Sequence, residues 1–236
     1  KGCELYVTNG TTNGTISLGD LNPYGNSNAY GFTAAGLKTV FNSYDNQRGY
    51  ELWVTDGTSG GTRMVADINP SGGSEPYGFT LSNGKIYFTA NDGTRGRELY
   101  VTNGTANGTI FLGDLNPYGD SNADRFAAVG QKTVFRAYDA QRGWELWITD
   151  GTVGNTQIFA DINPTGDSDP QNMTTVNGKA FFSALDGWPS EGGHGRELWV
   201  TDGTQNGTYL VSDIVKGSGT SNVLNLTPAG KWLYFS

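Results

Sequence analysis

Glutamate recurs at positions 4, 51, 98, 145 and 197, so three steps of 47 residues are followed by one of 52. Three residues ahead of it stand Arg48, Arg95 and Arg142, with His194 in the fifth copy. A carboxylate taken out of water needs a partner, so this spacing predicts an Arg–Glu pair that braces a loop. A second carboxylate recurs as Asp20, Asp67, Asp114, Asp161 and Asp213, in four copies within Asp-x-Asn-Pro. Its short side chain suits the acceptance of backbone N–H groups in a turn. The same loops hold Asp120, Asp167 and Asp169, whose oxygens offer a subordinate calcium reading. Neither EF-hand spacing nor a Gly-Gly-x-Gly-x-Asp run accompanies them, so no cofactor is expected and calcium stands as the weak alternative.

Turns need no large rings, so aromatic residues there ask for a reason. Tyr24, Tyr50, Tyr118 and Trp144, with Tyr30, Tyr77 and Trp188, fall in or beside the connections between extended runs. Flat rings flanked by Asn, Asp, Arg and Gln suit sugars, which present C–H faces and hydroxyl edges. The expected ligand-binding residues are therefore Arg48 with Tyr50, Arg142 with Trp144, and Tyr24 and Tyr118. Protein contact and incidental packing are the alternatives. Tyr6, Trp53, Tyr100, Trp147 and Trp199 stand mid-run instead, where packing between sheets is the default. No enzyme is expected. One His, one Cys and no nucleophile–base motif leave only carboxylate pairs for acid–base work.

Asn9, Asn13, Asn103, Asn107 and Asn206 head Asn-Gly-Thr triplets, and Asn172 and Asn225 also have the form of glycosylation acceptors. Asn-Gly is first of all a turn former, and turn chemistry is the expectation. Cys3 is the single cysteine, so an unpaired thiol is expected, with an intermolecular disulfide as the alternative.

These residues must be positioned by one supersecondary unit copied in tandem. Between Pro76 and Pro117 the pattern predicts four strands: Tyr77–Ser82, Lys85–Ala90, Arg97–Thr102 and Thr109–Leu115. Asn83-Gly84 is the strongest short hairpin signal, and Pro117 cannot donate to a ladder. The strands are apolar on both faces, which requires sheet packed on sheet. Four-stranded units stacked in that way predict a β-propeller. The N-terminus opens with the third and fourth strands of a copy, over 1–21, and the C-terminus closes with the first and second, over 224–236. The expectation is thus an all-β, five-bladed propeller, a single domain over 1–236, with four antiparallel strands per blade and closure by pairing of the N- and C-terminal strands. A longer period of 94 residues relates copies one and three, and the copies between them, as if a pair of blades had been duplicated. The fifth copy carries an insertion at 186–194. The chain starts in mid-repeat with no initiating Met and no signal peptide, so a processed product or a domain cut from something longer is expected.

The string Glu-Leu-Trp-x-x-Asp-Gly-Thr, with the following Gly-Thr and Asp-Ile-Asn-Pro, resembles the bacterial ELWxxDGT repeat proteins. The likeness runs along essentially the whole chain, with Tyr6 and Tyr100 replacing Trp, and Asn9 and Asn103 replacing Asp. It implies a secreted or surface-attached bacterial repeat protein and carries over no catalytic residue. In unit count and length alone, the chain is similar to tachylectin-type five-bladed lectins, which is analogy at the level of fold.

A formal net charge of −8 makes nucleic acid an unfavoured partner. No run approaches 18 apolar residues, so no membrane insertion is expected. Five near-identical units favour multivalent contact over a unique active site. The expected function is a secreted, extracellular or cell-surface lectin for glycans or polysaccharide, with shallow sites on one loop face. A non-catalytic structural or adhesive module that contacts other protein domains is the alternative.

Overall fold

The computed structural model describes residues 2–188, 190, 192–216 and 219–236. Pro189 and Glu191 of the predicted insertion lie outside the described residues. Two compact units divide the chain, Lys1–Phe111 and Leu112–Ser236.

In the first unit the strands are β1 (Tyr6–Val7), β2 (Ile16–Ser17), β3 (Tyr30–Ala35), β4 (Lys38–Asp45), β5 (Gly49–Thr55), β6 (Arg63–Ala66), β7 (Tyr77–Ser82), β8 (Lys85–Asn91), β9 (Arg97–Thr102) and β10 (Ile110–Phe111). They form an antiparallel pair, β1-β2, and two four-stranded antiparallel sheets, β3-β4-β5-β6 and β7-β8-β9-β10. The second unit repeats the scheme. Its strands are β11 (Asp124–Val129), β12 (Lys132–Asp139), β13 (Gly143–Thr149), β14 (Gln157–Ala160), β15 (Gln171–Val176), β16 (Lys179–Leu185), β17 (Arg196–Thr201), β18 (Tyr209–Ser212), β19 (Thr227–Ala229) and β20 (Trp232–Tyr234). They make the sheets β11-β12-β13-β14 and β15-β16-β17-β18 and the pair β19-β20.

Each of the four full sheets follows chain order, as successive hairpins require. Asn83 (φ 50) and Gly84 (φ 74) both sit in the left-handed region, the signature of the two-residue turn predicted there. The fourth strand is shorter than predicted, and β10 ends before Gly113, whose φ of 139 breaks the extended run. The predicted closure by pairing of the N- and C-terminal strands is not among the strand pairings of the described residues: β1-β2 in the first unit and β19-β20 in the second are separate two-stranded sheets, which makes six sheets where five blades were expected. β1 and β2 hold two residues each, too short a ladder to order more strands on its own.

The first strand of every full sheet bulges, between Tyr30 and Thr33, Tyr77 and Thr80, Asp124 and Ala127, and Gln171 and Thr174. The residue in each bulge has positive φ: Gly31, Gly78, Arg125 and Asn172. Apolar faces meet as the two-sided pattern requires. In the first unit Val40, Leu52, Val54 and Val65 of one sheet pack on Ile86, Phe88, Ala90 and Tyr100 of the next. In the second, Val134, Leu146, Ile148 and Phe159 pack on Ala180, Phe182 and Ala184. Each such large side chain contributes about 1.5–3 kcal/mol. Of the motif aromatics, Tyr100 is buried in the first of these interfaces and Trp199 packs against the second. Trp53 is buried in a separate cluster with Leu5, Leu18, Leu21 and Phe41, and Trp147 is buried against Phe135 of its own sheet, whereas Tyr6, on a sheet of only two strands, is exposed.

Candidate functional site

Glu51, Glu145 and Glu197 are held by N–H and O–H groups of the following loop and not by the predicted arginines. Glu51 is fully buried; its Oε1 accepts Ser74 N–H (2.8 Å), and its Oε2 accepts Ser74 O–H (2.6 Å) and Ile68 N–H (3.1 Å). Glu145 accepts Ser168 N–H (3.1 Å) and O–H (2.5 Å), and Glu197 accepts Ile214 N–H and Ser221 N–H (both 3.1 Å). The carboxylate thus ties the third strand of one sheet to the loop that leads into the next. Burial pushes the carboxyl groups of Glu51 and Glu145 up to about 7, against the lowering pull of the Ser and backbone hydrogen bonds. The arginines turn to the outside of the preceding turn. Arg48 meets Asp45 (3.4 Å) and Asp67 (3.3 Å), Arg142 meets Asp139 (3.0 Å), and Arg95 pairs with Asp92. His194 follows suit with Asp186 (2.7 Å), and that bond raises the imidazole pKa. The signal that names the true partner was in the sequence: Ser27, Ser74, Ser121 and Ser168 each follow the motif Glu by 23 residues, and Ser221 by 24.

A different cluster gathers at the end of the sheets where the first strand begins and the third strand starts. In the first unit Tyr50 meets Tyr30 edge-on (5.7 Å between centroids) and Tyr44 likewise (5.1 Å). Buried Asn42 donates to the Tyr30 hydroxyl (2.7 Å) and to the Pro76 carbonyl (2.9 Å). Burial, followed by the neighbouring Tyr50 and Glu75, raises the Tyr30 pKa, so this phenol stays protonated and keeps a proton to donate. Arg97 pairs with Glu75 and lies 5.7 Å from the centre of the Tyr77 ring.

In the second unit the same positions are charged. Asp124 and Arg136 replace Tyr30 and Asn42, Trp144 replaces Tyr50, and Asp169 and Arg196 replace Glu75 and Arg97. Arg136 grips Asp124 through Nε (2.8 Å) and Nη2 (2.9 Å), and reaches Asp169 with Nη1 (2.5 Å). Its guanidinium lies 4.1 Å from the Trp144 ring centre. Arg196 donates to the Asp169 carboxylate (3.0 Å) and carbonyl (2.7 Å). Glu75 (φ 47) and Asp169 (φ 40) hold left-handed backbone where the other copies place Asn28, Asn122 and Asn222, residues that take it more readily.

Of the residues predicted for ligand binding, Tyr50 and Trp144 stand in this cluster. Arg48 and Arg142 meet aspartates of the preceding turn, Asp45 and Asp139, and Arg48 also meets Asp67. Tyr24 and Tyr118 project from the preceding loops, 75% and 78% exposed. Arg136 escaped the sequence reading because it lies mid-strand, where the neighbouring copies carry Asn42, Thr89 and Ser183. Of the aspartates considered for calcium, Asp167 accepts the Trp144 N–H (2.9 Å), and Asp169 holds the arginines. Among the described residues no group of three or more His, Cys, Asp or Glu is placed to hold a metal ion. Among the described residues no helix is long and apolar enough to cross a membrane.

No family model and no curated protein matches the chain. Among solved structures it is similar to TolB from Acinetobacter baumannii (15% identity, TM-score 0.46, over 85% of this chain and 46% of that one). It is also similar to an acylaminoacyl peptidase of Pyrococcus horikoshii (11%, 0.49, 78% and 27%) and to the gluconolactonase XC5397 of Xanthomonas campestris (15%, 0.42, 93% and 71%). The chain spans less than half the length of the first two. On its own strand pairings it is an all-β protein built from repeated four-stranded antiparallel sheets.

Proposed function

We propose that the chain is a five-bladed β-propeller, secreted or held at a bacterial cell surface, that binds carbohydrate without catalysis. The five-blade count is supported by the register at the two ends. β19-β20 pairs Thr227 with Tyr234, as β7-β8 pairs Thr80 with Tyr87. Tyr234 is 61% exposed, whereas its counterparts Val40, Tyr87 and Val134 are buried. In the first unit a groove of about 360 Å³ lies between β1 and the β3–β4 hairpin, lined by Leu5, Val7, Phe32 and Leu37.

Sugar binding is supported chiefly by one observation: in both units, the same end of the sheets gathers aromatic rings with hydrogen-bonding side chains. Tyr30, Tyr44 and Tyr50 with Asn42 offer ring faces and a phenol donor. Trp144 with Arg136 offers an indole beside a fixed cation. Two such sites on one chain suit the weak, repeated contacts of a multivalent lectin. A glycan array followed by calorimetry tests this. Tyr50→Ala should weaken a bound sugar by about tenfold, the equivalent of ~1.4 kcal/mol. Silence across diverse neutral and acidic glycans would overturn the reading.

A second reading, an adhesive module, draws on exposed apolar residues at the two-stranded sheets, Tyr6, Trp232, Tyr234 and Phe235, together with the exposed thiol of Cys3. Concentration-dependent self-association in sedimentation, with no glycan bound, would favour it.

A further inference from the structure

The end of the sheets in the second unit crowds three guanidinium groups around the carboxylates of Asp124 and Asp169. Arg136 occupies both oxygens of Asp124 and one of Asp169. Arg196 takes the other Asp169 oxygen, which the Gln171 amide also contacts. A third guanidinium, Arg125, stands on β11 beside them. Its approach to Asp124 Oδ1 is 3.8 Å, to an oxygen that Arg136 already holds at 2.8 Å. Three arginines therefore face Asp124 and Asp169, while the third carboxylate at this end, Asp167, is spent on the Trp144 N–H (2.9 Å), in a protein of net charge −8. The corresponding end of the first unit balances Arg97 against Glu75, with Tyr30, Gly31 and Asn42 neutral.

Arg125 also holds a backbone conformation that its side chain does not favour. It fills the bulge of β11 at φ 56, and the same bulge in other copies belongs to Gly31 (φ 72), Gly78 (φ 71) and Asn172 (φ 54). Gly and Asn are the residues that enter this region at little cost, whereas arginine is strained there. A strained residue kept at the mouth of an aromatic and charged cluster points to use, since strain collects where a site needs a group held in place. The crowding is visible in Arg196, whose pKa is lowered first by burial and then by Arg125 and Arg136, against the raising effect of Asp169.

We infer that this end of the second unit is a subsite for a carboxylate-bearing sugar, a uronic acid residue of an acidic glycan, with Arg125 as the docking cation and Trp144 as the neighbouring ring. A carboxylate accepts a charge-assisted pair of N–H bonds from a guanidinium, and one side of Arg125 has no carboxylate grip to give up. The inference deepens the carbohydrate reading and rests on it. It assigns neutral sugars to the tyrosine-lined end of the first unit and acidic ones to the second.

Calorimetry on the intact chain with three probes separates the two claims: a tri-galacturonate, its fully methyl-esterified form, and a neutral galactose trimer. The acid is expected to bind at least about tenfold more tightly than its ester at low salt, with the difference shrinking as sodium chloride rises. Arg125→Gly should fold with an equal or higher Tm, because Gly31 and Gly78 fill that bulge elsewhere. It should lose the preference for acid and keep any neutral-sugar binding, while Arg125→Lys restores part of the preference. Equal affinity for acid and ester, or an acid preference that survives in Arg125→Gly, overturns the subsite. If no probe of any kind binds, the carbohydrate reading falls, and the subsite with it.

Discussion

The buried motif glutamates make stability depend on pH in a direction opposite to that of most carboxylates. Glu51 and Glu145 titrate near 7 in the fold, against an ordinary value of 4.5, so the native state binds more protons than the unfolded chain between those limits. Their contribution to stability is greatest below about pH 4.5, falls as pH rises to about 7, and is level above. Each group accounts for up to about 3 kcal/mol over that window. The local geometry accommodates the proton. Ser74 Oγ can accept from a protonated Glu51 and turn its own hydrogen to the Tyr50 carbonyl 3.3 Å away. Scanning calorimetry from pH 5 to 7.5 is expected to show a falling Tm, with the slope reduced by about half in Glu51→Gln. A Tm that rises across this range would refute the assignment. The glutamates themselves were legible in the sequence by their period. Their partner was not read, because charge pairing at three residues' distance suggested arginine, while the serine lies 23 residues away and across a loop.

At the scale of the element, the repeated Thr-Asp-Gly-Thr-x-x-Gly-Thr string is explained by one turn. Asp56 Oδ1 accepts the N–H (2.9 Å) and the O–H (2.6 Å) of Thr58, and Thr55 and Thr62 close the strand ends hydroxyl to hydroxyl at 2.7 Å. Asn9 and Asn103 do the same work with Thr11 and Thr105, so their side-chain oxygens belong to the turn. The second glycine is demanded by space: a Cβ on Gly61 would overlap the Asp56 carboxylate, whereas one on Gly60 meets nothing within 4 Å. Gly61→Ala is therefore expected to cost about 1–3 kcal/mol in urea denaturation, and Gly60→Ala to stay within about 0.5 kcal/mol of the parent. Equal effects would show that the turn is not the reason for the motif. The fourth copy keeps the rule by another route, since Asn155 replaces that glycine and donates to Asp150 (2.8 Å). Hairpins, strand order and two-faced packing were readable from Asn-Gly pairs and alternating apolar residues. The bulges were not, because Gly31, Gly78, Arg125 and Asn172 share a backbone angle and no side-chain type.

At the scale of the whole molecule, the proposed ring predicts one contact between the chain ends. In β8-β9, Tyr87 faces Val101, and the repeat places Tyr234 and Val7 at those positions. In a Cys3→Ser background, Tyr234→Cys with Val7→Cys should oxidise to a disulfide within one chain, visible as a faster-migrating monomer on a non-reducing gel. Disulfides between chains would favour assembly in an array, and no crosslink at all would refute the five-blade ring. Copy number and the half repeats at either end were legible as a period, but periodicity carries no information about whether an arc is joined.

Each buried Glu–Ser latch fastens one sheet to the stretch of chain that enters its neighbour. Under a mechanical load, such as shear on a cell-surface protein, that geometry makes every latch a separate checkpoint. It must yield before the next segment can pay out, so the chain would lengthen in discrete steps of one repeat and absorb work at each.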